Sequence, residues 1–325
     1  MKIRMMGAAL AVMAFAGLAA APAAAQDAYP DKPITILVPF APGGNVDLST
    51  RIVAQHMSEE LGQSILVTNR TGAGGLIAYE AVSRAQPDGY TLATMAASSL
   101  IVTPRLVPRD DLPLSSYTLI GAITDSPMVL LVPAESPYRT VEEYVAAARG
   151  KPGVLTIGHS GNGTTGHVAI LSFQDGTDID LNVIPYKGAA PALVDLLGGQ
   201  LDSVIDQVTS SLQHVQSGKL RPLAVLGSER IADLPGVPTM QESGVKDYDV
   251  AATTGLIGPA GLSPAVVERL NAALNKALAD SEVQARFQKM GAIVRPMTPR
   301  QFVERLEGED AAAEDLMRRG ILKVQ

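Results

Sequence analysis

Two glycine-rich segments of the sequence could bind an anion. They are Pro42-Gly-Gly-Asn-Val-Asp47 and Ser160-Gly-Asn-Gly-Thr-Thr165, and each lies between a predicted strand and the start of a predicted helix. Glycine lets the backbone turn and approach a ligand closely, and the following helix offers unpaired N–H groups and the positive end of its dipole. One such segment could be only a turn. Two matched segments favour a pair of anion sites that face each other across a cleft.

Several polar side chains near these segments could add ligand contacts. The candidate hydroxyls and amides belong to Asn45, Ser98, Ser99, Ser160, Asn162, Thr164 and Thr165. The two threonines could instead cap the helix that follows them. His167 could lean towards a ligand, or it could be an ordinary residue of the first helical turn.

Asp206 bears on the class of ligand, because it follows a predicted strand at the edge where ligands bind. A carboxylate in the cleft would repel a simple dicarboxylate, but it could pair with an amine or accept from a hydroxyl. Alternatively, Asp206 could accept a hydrogen bond from the next turn, at Thr209 or Ser210. Lys187 could bind the anion or stay solvated.

Catalytic motifs are incomplete in this sequence. Gly158-His-Ser-Gly-Asn162 differs by one residue from the G-x-S-x-G motif of α/β hydrolases, so a secreted α/β hydrolase that uses Ser160 is the alternative function. Its fifth residue is Asn162, and His159 and His214 are poorly placed as the partner base. No histidine spacing matches a metal site, and Gly72-Ala-Gly-Gly75 lacks the third glycine of the dinucleotide motif. We therefore predict a protein that is not an enzyme and has no metal and no cofactor.

The elements that must position these residues alternate between strands and helices. One series of strand–loop–helix units begins at Ile34, and a second series of the same kind begins near Met128. Such alternation predicts an α/β fold with mostly parallel sheets flanked by helices. Two series of units predict two lobes.

The predicted lobe boundaries follow from the length of the first series. A lobe that ended near residue 122 would be small, so we expect the carboxy-terminal helices, predicted at 264–290 and from Thr298 onward, to complete it. The first lobe is then residues 26–124 plus 251–325, and the second lobe is residues 125–250. The chain crosses between them near 122–127 and 249–254, which is the predicted hinge.

The amino terminus and the composition indicate export. Lys2 and Arg4 precede an apolar run, and Ala23-Ala-Ala25 fits a cleavage site, so residues 1–25 are predicted to be a cleaved signal peptide. An uncleaved membrane anchor is the alternative. The 325-residue chain has no cysteine, which suits an oxidising compartment, and its net charge of −7 argues against nucleic-acid binding. We expect a monomer in the periplasm.

A set of motifs spread over the whole chain resembles the motifs of one known protein family. They are Tyr29-Pro-Asp-Lys-Pro, Pro39-Phe-Ala-Pro-Gly-Gly44, Asn69-Arg-Thr-Gly-Ala-Gly-Gly75, Pro87-Asp-Gly-Tyr90, Ser160-Gly-Asn-Gly163, Pro185-Tyr-Lys-Gly188 and Leu196-Leu-Gly-Gly199. In this order they resemble the Bug family, also called TctC, the periplasmic substrate-binding proteins of tripartite tricarboxylate transporters. The resemblance implies a two-lobed, Venus-flytrap receptor that holds a ligand carboxylate mostly through backbone amides and passes it to an inner-membrane permease.

The resemblance also implies which residues bind the ligand. Carried over by motif, they are Gly43, Gly44, Asn45, Val46, Asp47, Ser98, Ser99, Ser160, Asn162, Gly163, Thr164, Thr165 and Asp206. Many relatives carry Ser-Thr-Asp after the two glycines, whereas this chain has Asn45-Val-Asp47. The identity of the ligand therefore cannot be copied from the family. A monocarboxylate, a dicarboxylate, an aromatic acid and an acidic amino acid all remain candidates.

Overall fold

The computed structural model describes residues 29–107, 112–246 and 248–322. The predicted signal peptide, residues 1–25, lies outside them. The strands are β1 (Ile34–Val38), β2 (Ile65–Asn69), β3 (Thr91–Ala96), β4 (Tyr117–Pro133), β5 (Thr156–His159), β6 (Asn182–Pro185), β7 (Ser203–Gln207), β8 (Leu220–Val225), β9 (Ala251–Pro259) and β10 (Ile293–Val294). The helices are α1 (Asn45–Leu61), α2 (Leu76–Ser83), α3 (Ala97–Leu106), α4 (Val141–Gly150), α5 (Thr165–Thr177), α6 (Ala189–Leu197), α7 (Val208–Gln216), α8 (Pro264–Ala279), α9 (Ser281–Lys289) and α10 (Pro299–Arg318).

The strands form one mixed sheet in the order β2-β1-β3-β9-β4-β7-β5-β6, and β8 and β10 also pair with β4. Strand β1 is parallel to β2 and β3, and β5 is parallel to β6 and β7. Between these two parallel groups lie β9 and β4, which are antiparallel to their neighbours. The sheet thus has two halves that are joined through its two longest strands.

Strand β4 is longer than the sequence predicted. The sequence predicted a strand from about Met128, but the strand begins at Tyr117. Its first part pairs with β9 from Tyr117 opposite Pro259 to Pro127 opposite Ala251. From Met128 onward it pairs with β7 and β8. The predicted hinge region therefore consists of two hydrogen-bonded strands, and the lobe boundaries at 124 and 251 stay a prediction.

The carboxy-terminal part differs from prediction at one point. The helix expected over residues 264–290 is two helices, because Asp280 has extended backbone angles and its carboxylate accepts from the N–H groups of Glu282 and Val283. That is the geometry of a helix N-cap, which starts α9. Ser263 caps α8 with Pro264 as its first residue, as the sequence predicted.

Each half of the sheet has its own apolar core. In the first half, Ile52 of α1 and Leu274 of α8 are buried with Ile36 of β1. In the second half, Tyr144 of α4 and Phe173 of α5 are buried on the sheet. Burying a side chain of this size contributes about 1.5–3 kcal/mol, so each half is held together by its own packing. Within the described ranges, no helix is both long and apolar enough to cross a membrane.

Candidate functional site

A small cavity lies where helices from both halves of the sheet begin. Its lining residues are Phe40, Gly44, Asn45, Val46, Ala96, Ser160, Thr164, Thr165, Ala189 and Gln207. The cavity has about 10 Å³ of room for the centres of water molecules, which is roughly the space of one water. The interior of the site is therefore very small.

Five helices start at this cavity without a side-chain cap. Their N-cap residues are Gly44 for α1, Ala96 for α3, Thr164 for α5, Gly188 for α6 and Gln207 for α7, and none of these side chains accepts from the helix. Elsewhere, α4, α8, α9 and α10 are capped by Thr140, Ser263, Asp280 and Thr298, while α2, which follows a short 3-10 turn, is not. The first N–H groups of a helix need an acceptor. At the cavity, an anion could supply it for several helices at once.

The side chains that line the cavity are neutral. Asn45, Thr165 and Gln207 are buried polar residues, and Ser160 is partly exposed. Asn45 Nδ2 donates to Thr254 Oγ1 at 3.2 Å, and Asn45 Oδ1 is buried with no hydrogen-bond partner in the part of the chain that the structure describes. The cavity thus combines backbone N–H groups with uncharged donors and acceptors.

Contacts between the two halves cover the cavity. Ser98 Oγ donates to the carbonyl oxygen of Gly163 at 3.0 Å, and Thr103 Oγ1 donates to that of Asn162 at 3.1 Å. The backbone N–H of Ala41 donates to the carbonyl oxygen of Lys187 at 3.0 Å. These bonds join α3 and the loop before α1 to the Ser160–Thr165 loop and to the turn before α6.

Six of the residues predicted from the sequence line the cavity. They are Gly44, Asn45, Val46, Ser160, Thr164 and Thr165. Eight others lie outside the lining: Gly43, Asp47, Ser98, Ser99, Asn162, Gly163, His167 and Asp206. Ser98, Asn162 and Gly163 make the contacts that cover the cavity, and Ser99 hydrogen-bonds the carbonyl oxygen of Gly74.

Asp47 shapes the first loop. Its carboxylate accepts from the Gly43 N–H and from Asn69 Nδ2, both at 2.9 Å, and pairs with Arg51 at 2.9 Å. Burial alone would raise the pKa of Asp47, but the hydrogen bonds from Arg51, Gly43 and Asn69 hold it below its usual value. The charge of Asp47 is therefore satisfied within the loop.

Two stacked histidines support the second loop. The rings of His159 and His167 lie 4.7 Å apart, centroid to centroid. Gly161 N–H donates to His159 Nδ1 at 3.2 Å, and Gly163 N–H donates to His167 Nδ1 at 3.1 Å. Burial lowers the pKa of His159 to about 3, helped by His167, and lowers the pKa of His167 to about 4. Both rings are neutral near pH 7, and they hold the loop in shape.

Asp206 is not among the residues that line the cavity. Successive side chains of a strand alternate between its two faces, and the next residue, Gln207, lines the cavity. Ser210 Oγ donates to Asp206 Oδ2 at 2.6 Å, which is the alternative that the sequence left open. Burial raises the pKa of Asp206 to about 7.

Four lining residues were not predicted: Phe40, Ala96, Ala189 and Gln207. Ala96 and Gln207 are the last residues of β3 and β7, and Ala189 is the first residue of α6. Strand ends followed by helices mark the ligand edge of an α/β sheet, so their position was available from the sequence. The two alanines were not predicted because a methyl side chain has no polar group that indicates ligand binding. The alternative that Thr164 caps α5 is not seen, because its Oγ1 donates to the Gly161 carbonyl at 2.6 Å and accepts nothing from the helix.

Comparisons with known proteins agree on one family. The model of the tripartite tricarboxylate transporter family receptor matches residues 49–317. The structure of the periplasmic binding protein BugD is similar, with a TM-score of 0.88 and 32% identity over 91% of this chain and 100% of that chain.

Two further solved structures of Rhodopseudomonas palustris proteins contain carboxylates. MatC with bound malate has a TM-score of 0.85 and 31% identity, over 89% of this chain and 99% of that chain. A protein with adipate has a TM-score of 0.87 and 30% identity, over 91% of this chain and 100% of that chain. The family and the two-lobed α/β fold predicted from the motifs are confirmed. This chain belongs to the tripartite tricarboxylate transporter receptor family, the Bug or TctC family of solute-binding proteins.

Proposed function

We propose that this protein captures a small carboxylate between its two lobes in the periplasm and presents it to a membrane permease of the tripartite type. The observation that carries the proposal is the convergence of five helix N-termini without side-chain caps on one cavity. Backbone N–H groups at helix N-termini favour anions. Malate and adipate, the ligands of two similar structures, are both carboxylates.

The proposed mechanism is a shift from an open to a closed form. The lobes, residues 26–124 plus 251–325 and residues 125–250, would separate to admit the ligand. The bonds from Ser98 to Gly163 and from Ala41 to Lys187 would form on closure. A ligand that contacts helices of both lobes binds the closed form more tightly, and that difference in affinity shifts the population.

The geometry at Ser160 gives little support to a hydrolase. A nucleophile elbow holds its serine in a strained turn, but the only described residues other than glycine with positive φ are Ala73 and Asp178. The neighbouring His159 uses Nδ1 at Gly161. Among the described residues, no histidine hydrogen-bonds Ser160, so Ser160 lacks the base that would activate it.

A thermal-shift and calorimetry screen tests the proposal. The panel contains mono- and dicarboxylates, aromatic acids and acidic amino acids, and NMR follows each compound for consumption. We expect one group of acids to raise the unfolding temperature without being consumed, because a ligand at 100 times its Kd stabilises the folded protein by about 2.7 kcal/mol.

The variant Ser160→Ala separates the two functions. As a receptor, the protein should still bind without consuming its ligand when this hydroxyl is removed. Turnover that disappears in Ser160→Ala would favour the hydrolase, and a panel in which no acid binds would contradict the receptor.

A further inference from the structure

Asn45 carries the one buried acceptor of the cavity lining that lacks a partner. Asn45 is the first residue of α1 and is 2% exposed. Its Nδ2 is used by Thr254 Oγ1, while its Oδ1 has no hydrogen-bond partner among the described residues. An acceptor that is buried without a donor destabilises the folded protein. Because Asn45 also lines the cavity, this oxygen could accept a hydrogen bond from a donor on a bound ligand.

A carboxylate alone cannot be this donor, because an ionised carboxylate only accepts hydrogen bonds. The N–H groups of the helices that begin at Gly44 and Thr164 donate to such a group. Asn45 Oδ1 needs a second group on the ligand that donates. A hydroxyl and an amine are the two common choices.

The charge of the site distinguishes these two donors. Five helix N-termini place the positive ends of their dipoles at the cavity, and no Asp or Glu side chain lines it. An ammonium group would be buried there without a counter-charge, which is costly. Asp206 is on the opposite face of β7, and burial favours its neutral form. A hydroxyl donates without this penalty.

The position of Asn45 sets where the hydroxyl must be. Asn45 follows the N-cap Gly44 directly and lines the cavity, so its side chain starts next to the N–H groups that would hold the carboxylate. When these N–H groups hold the carboxylate, a hydroxyl on the adjacent carbon is close enough to donate to Asn45 Oδ1. We propose that this receptor selects 2-hydroxycarboxylates, with Asn45 Oδ1 accepting from the 2-hydroxyl; this rests on the function proposed above.

Calorimetry with matched acids tests the proposal. The two sets are malate, succinate and aspartate, and lactate, propionate and alanine, in which only the 2-substituent changes. In whichever set binds, we expect the hydroxy acid to bind about tenfold more tightly than the unsubstituted acid, since 1.4 kcal/mol is a factor of ten and an unpaired buried acceptor costs about that much. The amino acid should bind more weakly than the hydroxy acid.

Two variants assign the preference to Asn45. In Asn45→Leu the hydroxy and unsubstituted acids should bind within about twofold of each other, because the acceptor is gone. Thr254→Val is the matched control: it removes the same hydrogen bond between Asn45 and Thr254 but keeps Oδ1, so the hydroxyl preference should persist.

The outcomes distinguish this proposal from the receptor function. Equal binding of hydroxy and unsubstituted acids, or tighter binding of the amino acid, overturns the hydroxyl proposal and leaves a carboxylate receptor. No binding by any acid of the wider panel overturns both. If Asn45→Leu does not fold, the affinities of the matched acids for the unaltered protein still show whether the 2-hydroxyl is preferred.

Discussion

Two aspartates close to the site show how the surroundings set the properties of one residue type. Asp47 has Arg51 and two further donors, and its pKa is below the usual value despite burial. Asp206 has Ser210 and a backbone N–H but no cation among its hydrogen-bond partners, and burial raises its pKa to about 7. Asp47 is therefore ionised at all ordinary pH values, whereas Asp206 titrates near neutrality.

Asp206 should make stability depend on pH in an unusual direction. Between its ordinary pKa near 3.8 and its folded value of about 7, the folded protein keeps a proton that the unfolded chain has lost, so stability falls as pH rises through this window. Asp206→Asn cannot titrate, and its unfolding temperature should lack this decline. The measurement is the unfolding temperature of both proteins from about pH 4 to 8.

The comparison between the two proteins isolates Asp206. His159 and His167 have lowered pKa values, so their contribution has the opposite sign and is lost as pH falls below about 6.5. Both histidines are present in wild type and variant, and their effect cancels in the difference. Parallel curves for the two proteins would contradict the assignment.

At the scale of elements, helix α10 is hydrogen-bonded to β4 and β9, the two strands that join the halves of the sheet. Arg305 Nη2 donates to Asp125 Oδ1 of β4 at 3.0 Å and to Thr253 Oγ1 of β9 at 2.8 Å. Arg295 Nε donates to Asp125 Oδ2 at 2.8 Å. Asp125 is buried, so these hydrogen bonds replace the water that its carboxylate loses on folding. The network fixes the helix where the chain crosses between the halves.

Arg305→Met should destabilise the protein by about 1–3 kcal/mol, because hydrogen bonds to a buried charge are lost while Arg295 still neutralises Asp125. Arg300→Met is the control on the same helix. Its ion pair with Glu304 is exposed, and its loss should change stability by less than about 0.5 kcal/mol. Urea denaturation measures both. Equal effects would show that the hydrogen bonds of Arg305 to Asp125 and Thr253 contribute no more to stability than an exposed ion pair.

Elements with local patterns were predictable from the sequence, and those that depend on distant partners were not. The strand–glycine–helix units around Gly44 and Gly163 were found because each is contained in one short segment. The first part of β4 was missed, since its partner β9 lies more than a hundred residues further along the chain. Helix α3 was missed because it is buried almost all round and contains Pro104, which normally argues against a helix.

The same distinction applies to the site. The loops were identified by their glycines, but the lining alanines Ala96 and Ala189 contribute only backbone and a methyl group. Asp206 was proposed from its position at a strand end, yet the residue that lines the cavity is Gln207, one position later. A shift of one residue on a strand reverses the face, and sequence alone fixes strand ends no better than that.

At the scale of the molecule, the two halves meet through close backbone contacts beside the cavity. Gly74, in the first half, has φ +62°, and a Cβ placed there would lie 2.2 Å from the carbonyl oxygen of Asn162 in the second half. Gly163 has φ +79°, and its Cβ would lie 2.6 Å from Thr103 Cα. The closed arrangement therefore requires glycine at both positions.

Gly74→Ala should weaken ligand binding at least about tenfold, because the new methyl group keeps the halves apart. Gly62→Ala is the control: Gly62 has a similar φ of +67°, but nothing lies within 4 Å of its Cβ position. Both variants should lose about 1 kcal/mol of stability from the left-handed backbone. Calorimetry measures the affinity of each variant for an acid that binds the unaltered protein. Equal affinities in the two variants would contradict the need for close contact between the halves at Gly74.

The uncapped helix starts have a consequence for the protein without its ligand. On the mechanism proposed above, closing without a ligand would strip water from the N–H groups at these five helix starts, and each group left unpaired would cost about 1–3 kcal/mol. The solute would then act as a shared N-cap, because its carboxylate accepts from the first N–H groups of several helices. On the proposed function, the vacant protein would resist closing for this reason, and a permease that recognises only the closed form would not respond to it.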